Sequence, residues 1–225
     1  MTVTRFSDPM MGLAWECEPA LRRVRERFGE TVEIEERMVV LVRDVAGFMT
    51  PEERALPENE RIRAHNARLA QIYLDEGPIA GMPIRMEGFR LFGPGRRSSK
   101  PLCLAFEAAR LACPEKADDF LYRLRRATVA ETRVTTDEDV LAQIAAESGM
   151  DVDAFRAALS DGRAEAALAS DMRHAAAAGV RSLPAFLVSC STRMLMLQGL
   201  PVNGELEEAV SWLLQYVTNR VSGTS

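Results

Sequence analysis

The chain reads as an α/β fold in which strand, helix and strand are followed by a block of helices, then by helix, strand, strand and helix. Three observations carry this expectation. The sequence opens on a strand–helix–strand pattern, its middle is broken by Gly and Pro before a run of amphipathic helices, and two short apolar runs precede a final amphipathic helix.

Val3-Thr4-Arg5-Phe6 forms the first strand. Leu13, Cys17, Ala20, Leu21, Val24 and Phe28 then recur at helical spacing and predict one helix with a single buried face, ended by Gly29. Pro19 lies inside that pattern and is expected to bend the helix. From Val32 to Val42 the chain reads as a second strand, alternating at first and then continuously apolar, which suits a sheet covered on both faces. Strand–helix–strand at this spacing implies a parallel pair.

The next region changes character. Thr50-Pro51-Glu52-Glu53 looks like a helix start, and Ile62, His65, Leu69, Ile72 and Glu76 share one helical face. Gly77-Pro78, Gly81, Pro83 and Gly93-Pro94-Gly95 break the chain into loop. Helices follow from about Lys100 to Ala112, from Pro114, and after Thr135, where Thr135-Thr136-Asp137-Glu138 resembles a capping box. Gly149 and Gly162 punctuate two more helices, and Ala164–Ala178 is an Ala-rich helix closed by Gly179. Ala185–Ser189 and Met194–Leu197, separated by Ser191-Thr192-Arg193, predict a hairpin. Asn203-Gly204 then caps a helix with Leu206, Val210, Leu213, Leu214 and Val217 facing inward.

Composition narrows the function classes. With 225 residues, 47% hydrophobic, 27% charged and a net charge of −5, the chain is an ordinary soluble one whose acidic balance argues against nucleic acid or an anionic membrane as the main partner. No stretch approaches the roughly 20 apolar residues of a membrane span. The opening Met1-Thr2-Val3-Thr4-Arg5 lacks a secretion signal pattern, so a cytoplasmic location is expected. Arg22-Arg23-Val24-Arg25 reads as a solvated helix face. The four cysteines are too few for a disulfide framework, and Cys17, Cys103, Cys113 and Cys190 do not fall in a metal-ligand spacing, so no metal centre is expected.

The chemistry turns on Asp8-Pro9-Met10-Met11-Gly12-Leu13-Ala14-Trp15-Glu16-Cys17-Glu18-Pro19 and on Gly179-Val180-Arg181-Ser182-Leu183-Pro184-Ala185-Phe186. The first is similar to the Asp-Pro-x-Cys-Pro-x-Cys-Trp-x-x-Glu-Pro segment of the DsbA-like thioredoxin-fold superfamily, in its FrnE-type and YjbH/SpxH-type branches. Asp8, Pro9, Trp15, Glu18 and Pro19 match, whereas Met11 and Ala14 stand where the two cysteines would be. The second is similar to the segment that carries the family's cis-proline, and Ser98-Ser99 with the helix through Ala108-Ala109 is a softer match. The resemblance implies a thioredoxin fold made by residues 1–46 and 163–225, with residues 47–162 as an inserted helical domain.

In that family the first cysteine sits at a helix N-terminus that stabilises its thiolate, and the second resolves the mixed disulfide. A thioether at Met11 does not ionise, and Ala14 resolves nothing, so dithiol chemistry is excluded at this turn. Relatives that isomerise hydroxychromene carboxylates or transfer glutathione use serine at the first position, and Met11 lacks that hydroxyl too. The leading expectation is therefore a redox-inactive module that binds a peptide, a protein partner or a small apolar ligand between Met11, Gly12, Leu13, Ala14 and Trp15 and the Leu183-Pro184 loop. Part of that apolar set is expected to be core.

Two alternatives stand beside it. One is enzymatic: a glutathione-dependent isomerase or transferase, glutathione being the only cofactor the resemblance implies, or a disulfide reductase or isomerase acting through Cys17. Cys17 follows Ala14 by about one helical turn, although it also lies on the buried stripe and reads as packing. The other is a structural subunit of an oligomer. His65, on an apolar helix face, reads as a satisfied semi-buried histidine or as a base. His174 reads as a surface helix pair with Asp171, and Gly93–Ser99 as an inter-helix loop or an anion site.

Overall fold

Residue 5 sets the architecture, because a charged side chain in the first strand has to find its partners inside the protein. In the computed structural model, which describes residues 1–77, 79–191 and 193–222 with side chains through 217, strand β1 (Thr2–Ser7) is central in a four-stranded sheet of order β2-β1-β3-β4. It pairs in parallel with β2 (Glu33–Met38) and antiparallel with β3 (Ala185–Ser189), which in turn pairs antiparallel with β4 (Met194–Gln198). The expected hairpin is present; Pro78 and Thr192 lie outside the described residues.

Pleating sends alternate residues of β1 to opposite faces. Val3 joins Phe186 and Val188 against helices α2 (Glu18–Phe28) and α10 (Glu205–Ser222), while Phe6 joins Ala185 and Leu187 on the face covered by α9 (Arg163–Ala177). Arg5 shares the Val3 face and stands beside Glu36 in the β1–β2 register.

The predicted single helix over residues 13–28 is two helices. α1 (Gly12–Glu16) stops, Cys17 joins the two, and α2 restarts with Pro19 in its first turn. The proline breaks the helix rather than bending it, because a first-turn position needs no intrahelical N–H donor. The second strand is also shorter than the apolar run predicted. β1 ends at Ser7, so beyond Met38 the ladder has no further partner, and Val40 and Val42 are buried against helices instead.

The helical unit opens with α3 (Pro51–Ala55), whose Thr50–Glu53 capping box fulfils the expected helix start, and α4 (Glu58–Glu76). Helix α5 (Lys100–Ala112) is apolar on most sides and packs against α6 (Ala117–Val129), α7 (Glu138–Glu147), α8 (Val152–Ser160) and α9. The predicted capping box before α7 is not formed. Asp137 caps that helix through the Asp139 N–H at 3.0 Å, while the Thr136 hydroxyl donates to the Leu91 carbonyl. The expected Asp171–His174 surface pair is not formed either: Asp171 is buried and accepts from Arg37 and from the Met38 N–H, both at 2.9 Å. His174 lies edge-on against Phe6. In the Gly93–Ser99 loop, Arg97 pairs with Asp44 at 2.9 Å and Arg96 with Asp137 at 3.9 Å, which favours the loop reading over an anion site.

The two parts meet at Arg5, Glu18, Glu36 and Arg125, each at most 7% exposed. Arg5 donates to Glu36 through Nε at 2.9 Å, to Glu18 at 2.8 Å and to the Ala14 carbonyl at 3.2 Å. Arg125, from α6, donates to Glu18 at 3.0 Å, Ser7 at 2.8 Å and Glu36 at 3.3 Å. Burial works against the Arg5 charge, but Glu36 and Glu18 outweigh it and hold the guanidinium above its ordinary value. Burial also opposes the Glu18 charge, and Arg5 with Arg125 reverses that, so Glu18 ionises below the usual carboxylate range.

Removing one member leaves two buried carboxylates without one of their cations. Arg125→Met is expected to lower unfolding free energy by about 3–5 kcal/mol in urea denaturation. A change under about 1 kcal/mol would mean that the network does not hold α6 to the sheet.

Candidate binding site at the strand-to-helix turn

Asp8 organises the turn between β1 and α1. Its Oδ1 accepts the Met10 N–H at 3.1 Å, and its Oδ2 accepts the Leu41 N–H at 2.8 Å and the Ser99 hydroxyl. The Ser99 Oγ also accepts the Val42 N–H at 3.1 Å, and the Ser99 N–H donates to the Val42 carbonyl at 2.9 Å. One buried carboxyl thus ties the turn to the loop after β2 and to the start of α5. Burial pushes the Asp8 carboxyl up to about 6, although Ser99, Leu41 and Met10 all pull it down.

Met11 is the N-cap residue of α1 and offers no side-chain cap. Tyr73 of α4 donates its hydroxyl to the Met10 carbonyl at 2.5 Å and packs edge-on against Phe89. Gly12 lies directly under α4. A Cβ there would fall 2.5 Å from Glu76 Oε2 and 3.2 Å from the Tyr73 ring, so an alanine would push the Glu76 carboxylate aside and crowd the ring. Glu76 therefore stands over the first turn of α1. Burial and then the Glu16 charge raise its carboxyl, and the Leu13 N–H opposes them.

Met10, Met11, Gly12 and Leu13 form one wall of a cavity of about 140 Å³. Leu41 and Val42 close a second side, and His65, Leu69, Ile72 and Tyr73 of α4 the third. Phe48 and Ile72 stand at its edge with 45% and 38% of their surface exposed. His65 is buried and satisfied, with Nδ1 3.1 Å from Arg68 Nη2 and 3.6 Å from Glu53. Burial lowers its pKa, and the ring packs on Phe92.

The expected site residues divide. Met11, Gly12 and Leu13 line the cavity, whereas Ala14 and Trp15 belong to the core beneath it. The Ala14 carbonyl accepts from Arg5; Trp15 stacks at a tilt on Tyr122 and donates Nε1–H to the Pro83 carbonyl at 3.1 Å. Glu16 accepts the Ala80 N–H at 2.6 Å, so the segment after α4 folds over α1. The Leu183–Pro184 peptide is cis, Gln198 Oε1 accepts the Arg181 and Ser182 N–H groups, and Pro184 is buried. Leu183 packs where the cluster containing Met10 and Met11 meets the cluster containing Phe6. Among the described residues its backbone N–H and C=O make no hydrogen bond.

Cys17 faces away from the cavity, wholly buried among Ala20, Leu21 and Val24. Burial pushes its thiol up to about 12, so it carries almost no thiolate near neutrality. Cys103 is buried beside Asp8 and likewise raised, and Cys113 bonds Glu115 at 3.0 Å. Asp8, Tyr73 and Glu76 shape the turn through contacts that local sequence pattern does not display. Only Asp8 carried a signal, as part of a matched motif.

Comparison with known proteins agrees with this fold. A family model described as Thioredoxin matches residues 5–204. ClpXP adapter proteins SpxH are 27% identical, that of Shouchella clausii over 83% of this chain and 57% of its own length, that of Bacillus subtilis over 78% and 54%. The chain thus spans little more than half the length of the curated relatives it matches. Among solved structures, the cytosolic disulfide reductase DsbM from Pseudomonas aeruginosa superposes with a TM-score of 0.67 at 18% identity, covering 97% of this chain and 99% of that one.

Two outcomes test the turn. The folded protein keeps a proton on Asp8 up to about pH 6, while the unfolded chain releases it near 3.8. The stability this group confers is therefore present below pH 3.8 and lost as pH rises to about 6. Asp8→Asn is expected to flatten stability across that window in denaturant titrations at several pH values. Gly12→Ala is expected to cost about 1 kcal/mol in the wild type and measurably less with Glu76→Ala, a coupling that a double-mutant cycle reads directly.

Strand order, helical insertion, family model and structural neighbours agree: the chain belongs to the thioredoxin family and carries its DsbA-like fold, with SpxH adapters among its sequence relatives.

Proposed function

We propose that this chain is a redox-inactive binding module of its family that holds an apolar segment of a partner protein over the Met11–Leu13 turn. The observation that carries this reading is the apolar cavity at that turn, edged by exposed Phe48 and Ile72, at the place where Met11 and Ala14 remove thiol chemistry. Small apolar cavities with adaptable methionines suit an inserted side chain; Leu183 does not line this cavity, but its backbone groups make no hydrogen bond among the described residues and, in this reading, take the extended backbone of the ligand. In this reading residues 1–46 and 163–225 form the frame and residues 47–162 the facing wall, through α4.

The 27% identical relatives are ClpXP adapters, which supports a protein ligand and an adapter role in the cytoplasm. A reductase working through Cys17 has no support in the geometry, because that thiol is buried and held protonated. Among the described residues no helix is long and apolar enough to cross a membrane.

The chain is expected to select peptides carrying a bulky apolar residue from a displayed library, and Ile72→Glu to weaken that binding at least about tenfold without changing the far-UV circular dichroism. Selection that is absent, or indifferent to Ile72→Glu, contradicts the reading. So does reduction of insulin by the wild-type protein, which should stay at the level of the reductant alone. Met11→Cys combined with Ala14→Cys is expected to introduce such activity, since both positions begin a helix that still bears the family frame.

A further inference from the structure

A second cavity, of about 350 Å³, opens where the helical unit meets the sheet, over the buried Arg5–Glu18–Glu36–Arg125 network. Its size falls within the range of small-molecule sites, about 300–1,000 Å³. The charges on its floor are balanced, two guanidinium groups against two carboxylates, and they are not fully used. Glu18 takes both of its hydrogen bonds on Oε1, leaving Oε2 without a donor among the described residues. Arg125, only 1% exposed, has a buried Nε–H with no acceptor.

The mouth repeats the pattern. Arg25 and Asp118 stand 3.5 Å apart with 46% and 67% of their side chains exposed, a loose pair that leaves most of both groups to solvent or to a ligand. Asp119, also in the wall, is taken by Arg123 at 2.7 Å. Tyr122 supplies an aromatic face between the mouth and the Trp15 core.

We propose that this cavity is a ligand site, separate from the apolar one, for a small zwitterion of free amino-acid type. A ligand with a single charge would unbalance a neutral, buried floor, and that is costly in a low-dielectric interior. A molecule carrying both an ammonium and a carboxylate leaves the balance intact. It places its ammonium toward the open Glu18 Oε2 and Asp118 and its carboxylate toward Arg25 at the mouth, so the unpartnered acceptor is satisfied and the loose pair is replaced by two charge-assisted contacts. Binding there would also bridge α2 and α6 across the seam and so stabilise the docking of the helical unit.

The probes are the twenty free L-amino acids, followed by the N-acetyl and methyl-ester forms of any that bind, in thermal-shift and calorimetric titrations of the full chain. At least one free amino acid is expected to raise Tm and to bind at least about tenfold more tightly than either blocked form. Asp118→Asn and Arg25→Gln, both at the exposed mouth, are expected to weaken that binding about tenfold or more while keeping the wild-type circular dichroism. Ile72→Glu, in the apolar cavity, should leave it unchanged, which separates this site from the peptide site. Absence of binding by all twenty, equal binding of the blocked forms, or loss of binding on Ile72→Glu but not on Asp118→Asn each overturns the proposal.

Discussion

Two guanidinium groups and two carboxylates, buried where three elements of the sheet half meet one helix of the insertion, hold this molecule in register. Arg5 comes from the central strand, Glu36 from its parallel neighbour, Glu18 from the first turn of α2 and Arg125 from α6. A buried ion pair is a poor source of stability compared with well-packed apolar groups, because desolvation offsets most of the attraction. Its value is geometric. Four charged groups that cannot be left unpaired admit few arrangements, and a shift of α6 along the sheet would strand at least one of them.

The same logic operates at the turn with a single carboxyl. Asp8 gathers the backbone of residue 10, the backbone of residue 41 and the hydroxyl of Ser99, so three separate stretches of chain converge on one buried side chain. Tyr73 of α4 fixes the same turn separately, by donating to the Met10 carbonyl. The scaffold that would position a reactive thiol is thus complete in its hydrogen bonds while the thiol positions hold Met11 and Ala14. None of these bonds passes through the side chains of residues 11 or 14, so the frame does not depend on what stands there.

Beside this frame lies space. In the turn Gly12 lets α4 approach closely enough to bring Glu76 over the start of α1, and the methionines line a small apolar hollow. Met side chains adapt to varied shapes at little cost, and the proposed binding of an apolar segment rests on that property. Phe48 and Ile72 leave an exposed apolar rim at this hollow, in contrast to the charged cavity at the seam, which Tyr122 separates from Trp15.

By itself the sequence determined the order of elements, the hairpin and the absence of thiols at the turn, whereas the second strand, read as covered on both faces, is a partly exposed edge of the sheet. The first three are local: period, turn chemistry and residue identity act over a few neighbours. Even there the tertiary structure overruled local pattern wherever a partner was missing or present. The apolar run after Met38 left the sheet because β1 had already ended, and Pro19 restarted a helix because Cys17 had closed the previous one. Glu18 was legible only as part of a motif, and Trp15 looked like a groove residue until its ring was placed against Tyr122. Arg125 carried no signal, since its partners lie 89 to 118 residues away in the chain. Which charges pair, which cysteine is sealed and which apolar residues remain at a cavity edge are long-range questions, decided by desolvation and packing in three dimensions.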